Sequence, residues 1–205
     1  MSQVKITGNA SGTGVLTIAA PNTNTDRSIT IPDKAGAIAV GAGTIVQVVS
    51  SIKTDTVSTT STSFADVSDL SVAITPSSTS NKVLVLVTLG ANGNTTSSVL
   101  FNLVRGSTNL AQPDSGNHPS TINLFNTGTT DVDNAAINFL DSPSTTSSTT
   151  YKIQMRVDGG TGYLNRHTSN TNYNSVSTIT VMEVVAWTMM QYMLFIQMLL
   201  ELIIM

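Results

Sequence analysis

The stretch YKIQMRV at residues 151–157 carries apolar and polar side chains at alternate positions. Its apolar members point to one side of an extended chain: Tyr151, Ile153, Met155 and Val157. This period of two residues predicts a β-strand that buries one face. A second stretch, KVLVLVTLG at residues 82–90, is apolar on both faces, which is typical of a central strand between two packed layers.

Residues 44–186 contain eight candidate strands of this kind, separated by turns rich in Ser, Thr, Pro and Gly. The candidates are residues 44–50, 63–67, 70–74, 82–89, 99–105, 135–140, 151–157 and 177–185. No stretch of this segment has the 3.6-residue apolar period of a helix. Eight short strands joined by polar loops predict an all-β domain, and we expect a jelly-roll-like β-sandwich.

The composition narrows the function classes. Charged residues make up 10% of the 205 residues, against roughly 25% in an average soluble domain. Ser and Thr (57 residues) and Asn (17 residues) supply the polar surface instead. Nine scattered Lys and Arg in a chain of net charge −3 argue against nucleic acid as a partner. The absence of Cys excludes disulfides, thiolate zinc sites and cysteine nucleophiles.

Two segments of different character flank the β-rich domain. Residues 1–43 hold short alternating pieces between turns and few large apolar side chains, so we expect an extended β arm that needs partners to be ordered. Residues 187–205, WTMMQYMLFIQMLLELIIM, are almost entirely apolar and rich in the helix formers Leu and Met. We expect a short C-terminal apolar helix there.

This apolar tail has three interpretations. As a helix it would be about 28 Å long, close to the roughly 30 Å of a membrane's hydrocarbon core, so a membrane anchor is one. Gln191, Gln197 and Glu201, and the lack of Lys or Arg near either end, argue against a span. A helix buried in an assembly is the second. The third is a sequence artefact, such as a shifted reading frame, or a recent extension, either of which would produce the abrupt change of composition. Of the three, we favour the helix buried in an assembly.

Residues suited to catalysis or metal binding are few. His118 and His167 are the only histidines and lie far apart, so we expect exposed loop residues and not a zinc site or catalytic base. DVDN at residues 131–134 offers oxygen ligands for calcium, but it lacks the Gly turn and distal Glu of an EF-hand, which favours a polar turn. No carboxylate pair stands out. The sequence therefore predicts no catalytic residue, metal site or cofactor.

Four ring side chains lie in presumed loops among Asn, Thr and Gly: Phe125, Tyr163, His167 and Tyr173. This composition is typical of surfaces that contact sugars or receptors, so these four are the candidate receptor- or glycan-contact residues. The same rings would equally serve to cap the ends of a sandwich, and both interpretations remain open.

Residues 12–40, GTGVLTIAAPNTNTDRSITIPDKAGAIAV, resemble a module in which T-x-T-I-x-x-P is followed by R-x-I-T-x-P-D-x-x-G-T-I. Ala37 stands where the module usually has Thr. The matching positions are Thr17, Ile18, Pro21, Arg27, Ile29, Pro32, Asp33 and Gly36. Further matching stretches are LVRGSTNL, FLDSPSTTSSTTYKIQMR, YLNR and STITVMEVVA. The module is common in tail-fibre-like proteins, and the chain as a whole resembles virion structural proteins of tailed phages, particularly of marine bacteria and cyanobacteria.

The resemblance covers most of residues 12–186 and implies a structural or adhesive protein of the phage particle, without a reaction or cofactor. It further implies a homotrimer that contacts other virion proteins through the N-terminal arm, with a host surface glycan or receptor as a further partner. The module favours a tail-fibre-like appendage and the short chain favours a head decoration. Two alternatives remain: a glycan-depolymerising enzyme that uses a carboxylate pair, and a β-protein anchored to a membrane by residues 187–205.

Overall fold

The computed structural model describes residues 42–92, 98–125 and 132–186, and in these ranges the chain is all β-strand, turn and loop. Nearly all of the predicted arm (residues 1–43) and the whole predicted C-terminal helix (residues 187–205) lie outside the described residues. The strands are β1 (Ile45–Lys53), β2 (Val57–Thr59), β3 (Ala65–Ile74), β4 (Lys82–Asn92), β5 (Ser98–Arg105), β6 (Thr108–Leu110), β7 (Ile122–Phe125), β8 (Asp133–Asp141), β9 (Thr149–Val157), β10 (Gly162–Leu164) and β11 (Ser177–Val184).

The strands form two antiparallel sheets, consistent with a β-sandwich. In sheet A, β4 pairs with β8 on one side and with β11 and then β10 on the other; β1 pairs with β11, and β2 with β10. In sheet B, β9 lies between β3 and β5, and the far side of β5 pairs with β7 and β6 in turn. Short strands therefore share one side of a longer strand in both sheets.

The core consists of the inward-facing side chains of both sheets. The apolar row predicted at residues 151–157 is buried in this core, as expected from its period of two. In β4, Val83, Val85, Val87 and Leu89 are buried inward, while Leu84 and Leu86 on the opposite face are only half-buried. The predicted central position of β4 is confirmed, because this strand has partners on both edges.

All eight predicted strands are present, but two of them are one strand. The segments predicted at residues 63–67 and 70–74 join in β3. Between Asp66 and Ser71, β3 advances by five residues while its partner β9 advances by only two, from Gln154 to Lys152. The extra residues form a bulge in which Asp69 adopts a φ of 63°. Asp tolerates this left-handed conformation better than most residues. The bulge interrupts the alternation of side chains and bends the strand, but pairing with β9 resumes beyond it.

A buried ion pair joins the two sheets at one end of the sandwich. Asp141 of β8 in sheet A accepts hydrogen bonds at 2.7 Å from Arg105 Nη1 of β5 and at 2.6 Å from the Tyr151 hydroxyl of β9. Burial, together with the hydrogen bond to Asp141, raises the pKa of Tyr151 well above its usual range. The neutral hydroxyl is thus held as a donor, and three strands of the two sheets share one carboxylate.

A second buried carboxylate fixes the β3–β4 loop. Glu183 Oε1 on β11 accepts hydrogen bonds from the backbone and side chain of Ser77, each at 2.7 Å, and from Asn81 Nδ2 at 2.6 Å. Burial alone would raise the pKa of Glu183, but the hydrogen bonds from Asn81 and Ser77 outweigh it and hold the pKa below its ordinary value of 4.5.

Acidification should therefore weaken the fold through Glu183. A carboxylate with a lowered folded pKa contributes its full stabilisation above the unfolded pKa of about 4.5, and loses it as pH falls toward the folded value. We expect the free energy of unfolding, measured by urea titration between pH 7 and pH 3, to fall less steeply below pH 4.5 in Glu183→Gln than in the parent chain. An unchanged acid slope would contradict this assignment.

Candidate functional site

The outer face of sheet B is shielded from solvent along β5. Side chains of β5 that point away from the core would ordinarily be exposed, yet Leu100, Asn102 and Val104 are at most 2% exposed. The loop between β6 and β7, residues 111–121, contributes to this cover, because Gln112 Nε2 donates a 2.9 Å hydrogen bond to Asn102 Oδ1. A polar side chain is thereby buried on the outside of the sandwich.

Thr121 fastens the loop to the edge of sheet B. Its hydroxyl accepts hydrogen bonds from Leu103 N at 3.0 Å and Gln112 Nε2 at 3.2 Å, and donates to Leu110 O at 3.0 Å. The hydroxyl lies in the gap between β6, which ends at residue 110, and β7, which begins at residue 122. The loop leaves the edge of the sheet and rejoins it without leaving the Leu103 amide unpaired.

A pocket of about 490 Å³ lies between this loop, the outer faces of β5 and β9, and residues 62–64. Small-molecule sites typically enclose roughly 300–1,000 Å³, so its size suits a ligand. We name it the amide pocket, because four of its ten lining residues carry side-chain amides. The lining residues are Thr62, Ser63, Phe64, Asn102, Asn109, Gln112, Asn117, His118, Pro119 and Arg156.

Arg156 of β9 forms one wall of the amide pocket and is only 9% exposed. Its Nη2 lies 2.7 Å from His118 Nδ1 and 3.1 Å from Asp158 Oδ1. Its Nη1 donates to Thr62 O at 3.3 Å, and its Cζ lies 5.2 Å from the centre of the Phe64 ring. Asp158 therefore balances the guanidinium charge, and the aromatic ring stabilises it further.

The chemistry of the amide pocket is that of neutral polar recognition. Side-chain amides both donate and accept hydrogen bonds, and two of the three guanidinium nitrogens of Arg156, Nη1 and Nη2, already have acceptors from the protein. No Asp or Glu is among the ten lining residues. Such a pocket can hold and orient a ligand by hydrogen bonds, whereas hydrolysis of a glycosidic bond ordinarily requires a pair of carboxylates.

Three of the four sequence-predicted contact residues lie in β10 and the loop that follows it. Tyr163 of β10 is half-buried beneath Arg166, whose Cζ lies 4.7 Å from the ring centre. The rings of His167 and Tyr173 are 6.2 Å apart, centre to centre, and Tyr173 is exposed. Phe125 is exposed at the end of β7 in sheet B, on a different element. Their contact with a receptor or glycan stays a prediction.

The prediction that both histidines are exposed is confirmed for His118 and wrong for His167. The His118 side chain is 54% exposed in the β6–β7 loop. His167 is only 8% exposed. Its Nδ1 accepts hydrogen bonds from the backbone amides of Ser169 and Asn170, at 3.1 and 2.9 Å. That ring nitrogen serves as the acceptor that closes a tight turn.

The predicted polar turn at residues 131–134 falls partly outside the described residues. Asp133 and Asn134 begin β8. Within the described ranges, no three His, Asp or Glu side chains are grouped so that they could hold a metal ion. In residues 42–92, 98–125 and 132–186 no helix is long and apolar enough to cross a membrane.

Comparison of the chain with models of known protein families finds no match, and comparison with curated proteins finds none either.

Proposed function

We propose that the protein is a structural, adhesive component of a phage virion whose sandwich binds a host-surface ligand through the amide pocket. The observation that carries the adhesive role is the amide pocket, with Asn102 buried at its floor and Arg156 buried in its wall. The phage assignment is supported by the sequence resemblance over residues 12–186. The absence of a carboxylate from the pocket lining favours binding over the alternative of glycan depolymerisation.

We further propose that the sandwich is a jelly roll, as the strand order supports. Consecutive strands that occupy the same position in a sheet can be counted as one: β1 with β2, β6 with β7, and β10 with β11. These three pairs and the five remaining strands give eight strand positions, numbered in chain order. Their order is 1-8-3-6 in sheet A and 2-7-4-5 in sheet B. This order supports a jelly roll, an eight-stranded, two-sheet architecture found in viral capsid and lectin domains.

The homotrimer is also a proposal, supported by the outer face of sheet A. One row of this face is apolar across four strands, from Val48 through Met182 and Leu84 to Leu140. The face measures roughly 19 by 24 Å, or about 450 Å², from strand spacing and rise. Lys82 is its one charged side chain among the described strand residues. A nearly uncharged face with an apolar row can contact neighbouring copies around a threefold axis without like-charge repulsion.

A charge placed on this face should dissociate the trimer. Val48 is 57% exposed, so Val48→Lys should fold normally while it places an ammonium group in the proposed contact. We expect sedimentation to give a trimer for the parent chain and mostly monomer for Val48→Lys at the same concentration. Val176→Lys is the matched control, because Val176 is equally apolar and exposed but lies outside the strands. A monomeric parent chain, or a trimeric Val48→Lys, would overturn the proposal.

The virion assignment itself is tested by location. Antibodies raised against residues 42–186 should label intact particles of the phage that encodes the chain, and electron microscopy would then distinguish tail from head. Pre-incubation with antibodies against the loop at residues 111–121 should slow adsorption to host cells. Intact particles without label would contradict the virion role, and labelled particles with unaffected adsorption would contradict the adhesive role of the pocket.

A further inference from the structure

We infer that the amide pocket binds an uncharged carbohydrate. The inference rests on the proposed function only in taking this pocket as the ligand-binding site. It concerns the chemical class of the ligand, which the hydrogen-bonding groups, the charge balance and the apolar surfaces of the pocket each constrain.

The hydrogen-bonding groups of the pocket match a polyhydroxylated ligand. Each sugar hydroxyl both donates and accepts a hydrogen bond, and each side-chain amide offers one acceptor and two donors. Asn109 and Asn117 bring such groups to the pocket from exposed positions in and beside the covering loop. Asn102 and Gln112 bond to each other at the floor, so the inner amides are held in fixed orientation. Several neutral groups that both donate and accept suit neighbouring hydroxyls.

The charge balance of the pocket excludes a strong attraction for anions. The one permanent charge in the lining belongs to Arg156, and Asp158 lies 3.1 Å from its Nη2. His118 Nδ1 and Thr62 O occupy further guanidinium donors. An acidic sugar or a phosphate would compete with the Asp158 carboxylate for the guanidinium and would bring two negative charges close together. A ligand without charge meets no such penalty.

Two apolar side chains complete the complementarity. Phe64 and Pro119 lie in the same lining as the four amides, so the pocket offers carbon surface as well as polar groups. A pyranose ring has the matching character, with hydroxyls around its edge and C–H groups on its faces. Phe64 is held in place by the guanidinium of Arg156 at 5.2 Å. The aromatic ring and the amides are thus presented together by residues that the fold fixes.

The test uses the purified full chain on an array that carries neutral glycans (glucans, mannans and N-acetylglucosamine oligomers) and acidic glycans (uronates and sialylated chains). We expect binding to a neutral glycan, with an affinity that changes less than about twofold between low and high salt, because screening acts on charged partners. Asn109→Ala combined with Asn117→Ala should weaken that binding about tenfold or more. Both positions are exposed, so the variant should keep the parent melting temperature.

Asn172→Ala is the matched control, since Asn172 is an exposed amide in the loop after β10, outside the amide pocket and outside the outer face of sheet A, and it should bind as the parent chain does. Selective binding to acidic glycans, or neutral-glycan binding that survives the double substitution, would overturn the inference. An absence of any glycan binding would also overturn it. The virion assignment would stand in each of these cases if antibodies still labelled intact particles, so the two failures are distinguishable.

Discussion

Replacing Asp141 by alanine is expected to lower the free energy of unfolding by about 3–5 kcal/mol, the usual result of removing one partner from a buried ion pair. The Asp141 carboxylate accepts both the Arg105 guanidinium and the Tyr151 hydroxyl. Alanine would leave the fully buried Tyr151 hydroxyl without an acceptor and the partly buried Arg105 cation with only its 3.4 Å hydrogen bond to Ser142 O, at the point where sheets A and B are joined. Urea unfolding followed by circular dichroism measures the change.

The matched control is Asp66→Ala. Asp66 also accepts two hydrogen bonds, from Lys152 and Gln154, but its side chain is 54% exposed and both partners belong to the same sheet. Exposed ion pairs contribute about 0–1 kcal/mol, so this substitution should be nearly neutral. If Asp141→Ala proved no more destabilising than Asp66→Ala, the joint between the sheets would not have the importance assigned to it.

Asn165→Ala is the second substitution with a large expected effect, about 3 kcal/mol or more of lost stability. Asn165 is fully buried, and its Nδ2 donates to the carbonyl oxygens of Lys53 and Asp55 at 2.8 and 3.0 Å. Its Oδ1 accepts from the Ser177 hydroxyl at 2.6 Å. Each buried polar group left without a partner costs about 1–3 kcal/mol. Thermal and urea unfolding of the full chain provide the measurement.

Asn165→Gly separates two contributions to that loss. The backbone of Asn165 has a φ of 61°, in the left-handed region that alanine adopts reluctantly and glycine freely. Glycine removes the same hydrogen bonds without the conformational strain, so it should be less destabilising than alanine by about 1 kcal/mol. Equal stability of Asn165→Ala and the parent chain would show that the hydrogen bonds of this side chain contribute nothing net.

The long strands could be predicted from the sequence because each carries its own pattern, either an alternation of apolar and polar residues, as in β9, or a nearly continuous apolar run, as in β4. The four short strands, β2, β6, β7 and β10, could not, since three or four residues hold too little pattern to distinguish a strand from a loop. They are strands only because a neighbouring strand offers hydrogen bonds: β6 and β7 pair with β5, β10 pairs with β4, and β2 pairs with β10. For a related reason β3 was predicted as two strands. The bulge at Asp69 breaks its local pattern, but the strand pairs with β9 on both sides of the break.

The amide pocket was harder to foresee than the fold. Arg156 is predictable as an outward-facing residue of β9, and the stretch NLAQPDSGNHP at residues 109–119 is dense in amides. Nothing local indicates that this stretch folds back over β5 and that His118 meets Arg156, 38 residues further along the chain. The sequence instead indicated ring side chains as the contact residues. One of them, His167, uses its Nδ1 as the acceptor for hydrogen bonds within its own turn.

The gap that Thr121 bridges on the edge of sheet B has a consequence for how this domain can change. The chain departs from β5 after residue 110 and returns at residue 122, so the residues between form a detour outside the ladder. Lengthening or rewriting the detour alters a wall of the amide pocket, while the pairing of β5 with β9 and the core behind it keep their register. Ligand preference can therefore diverge between related chains at little risk to folding, provided that Gln112 and Thr121 keep their hydrogen bonds to Asn102 and to the Leu103 amide.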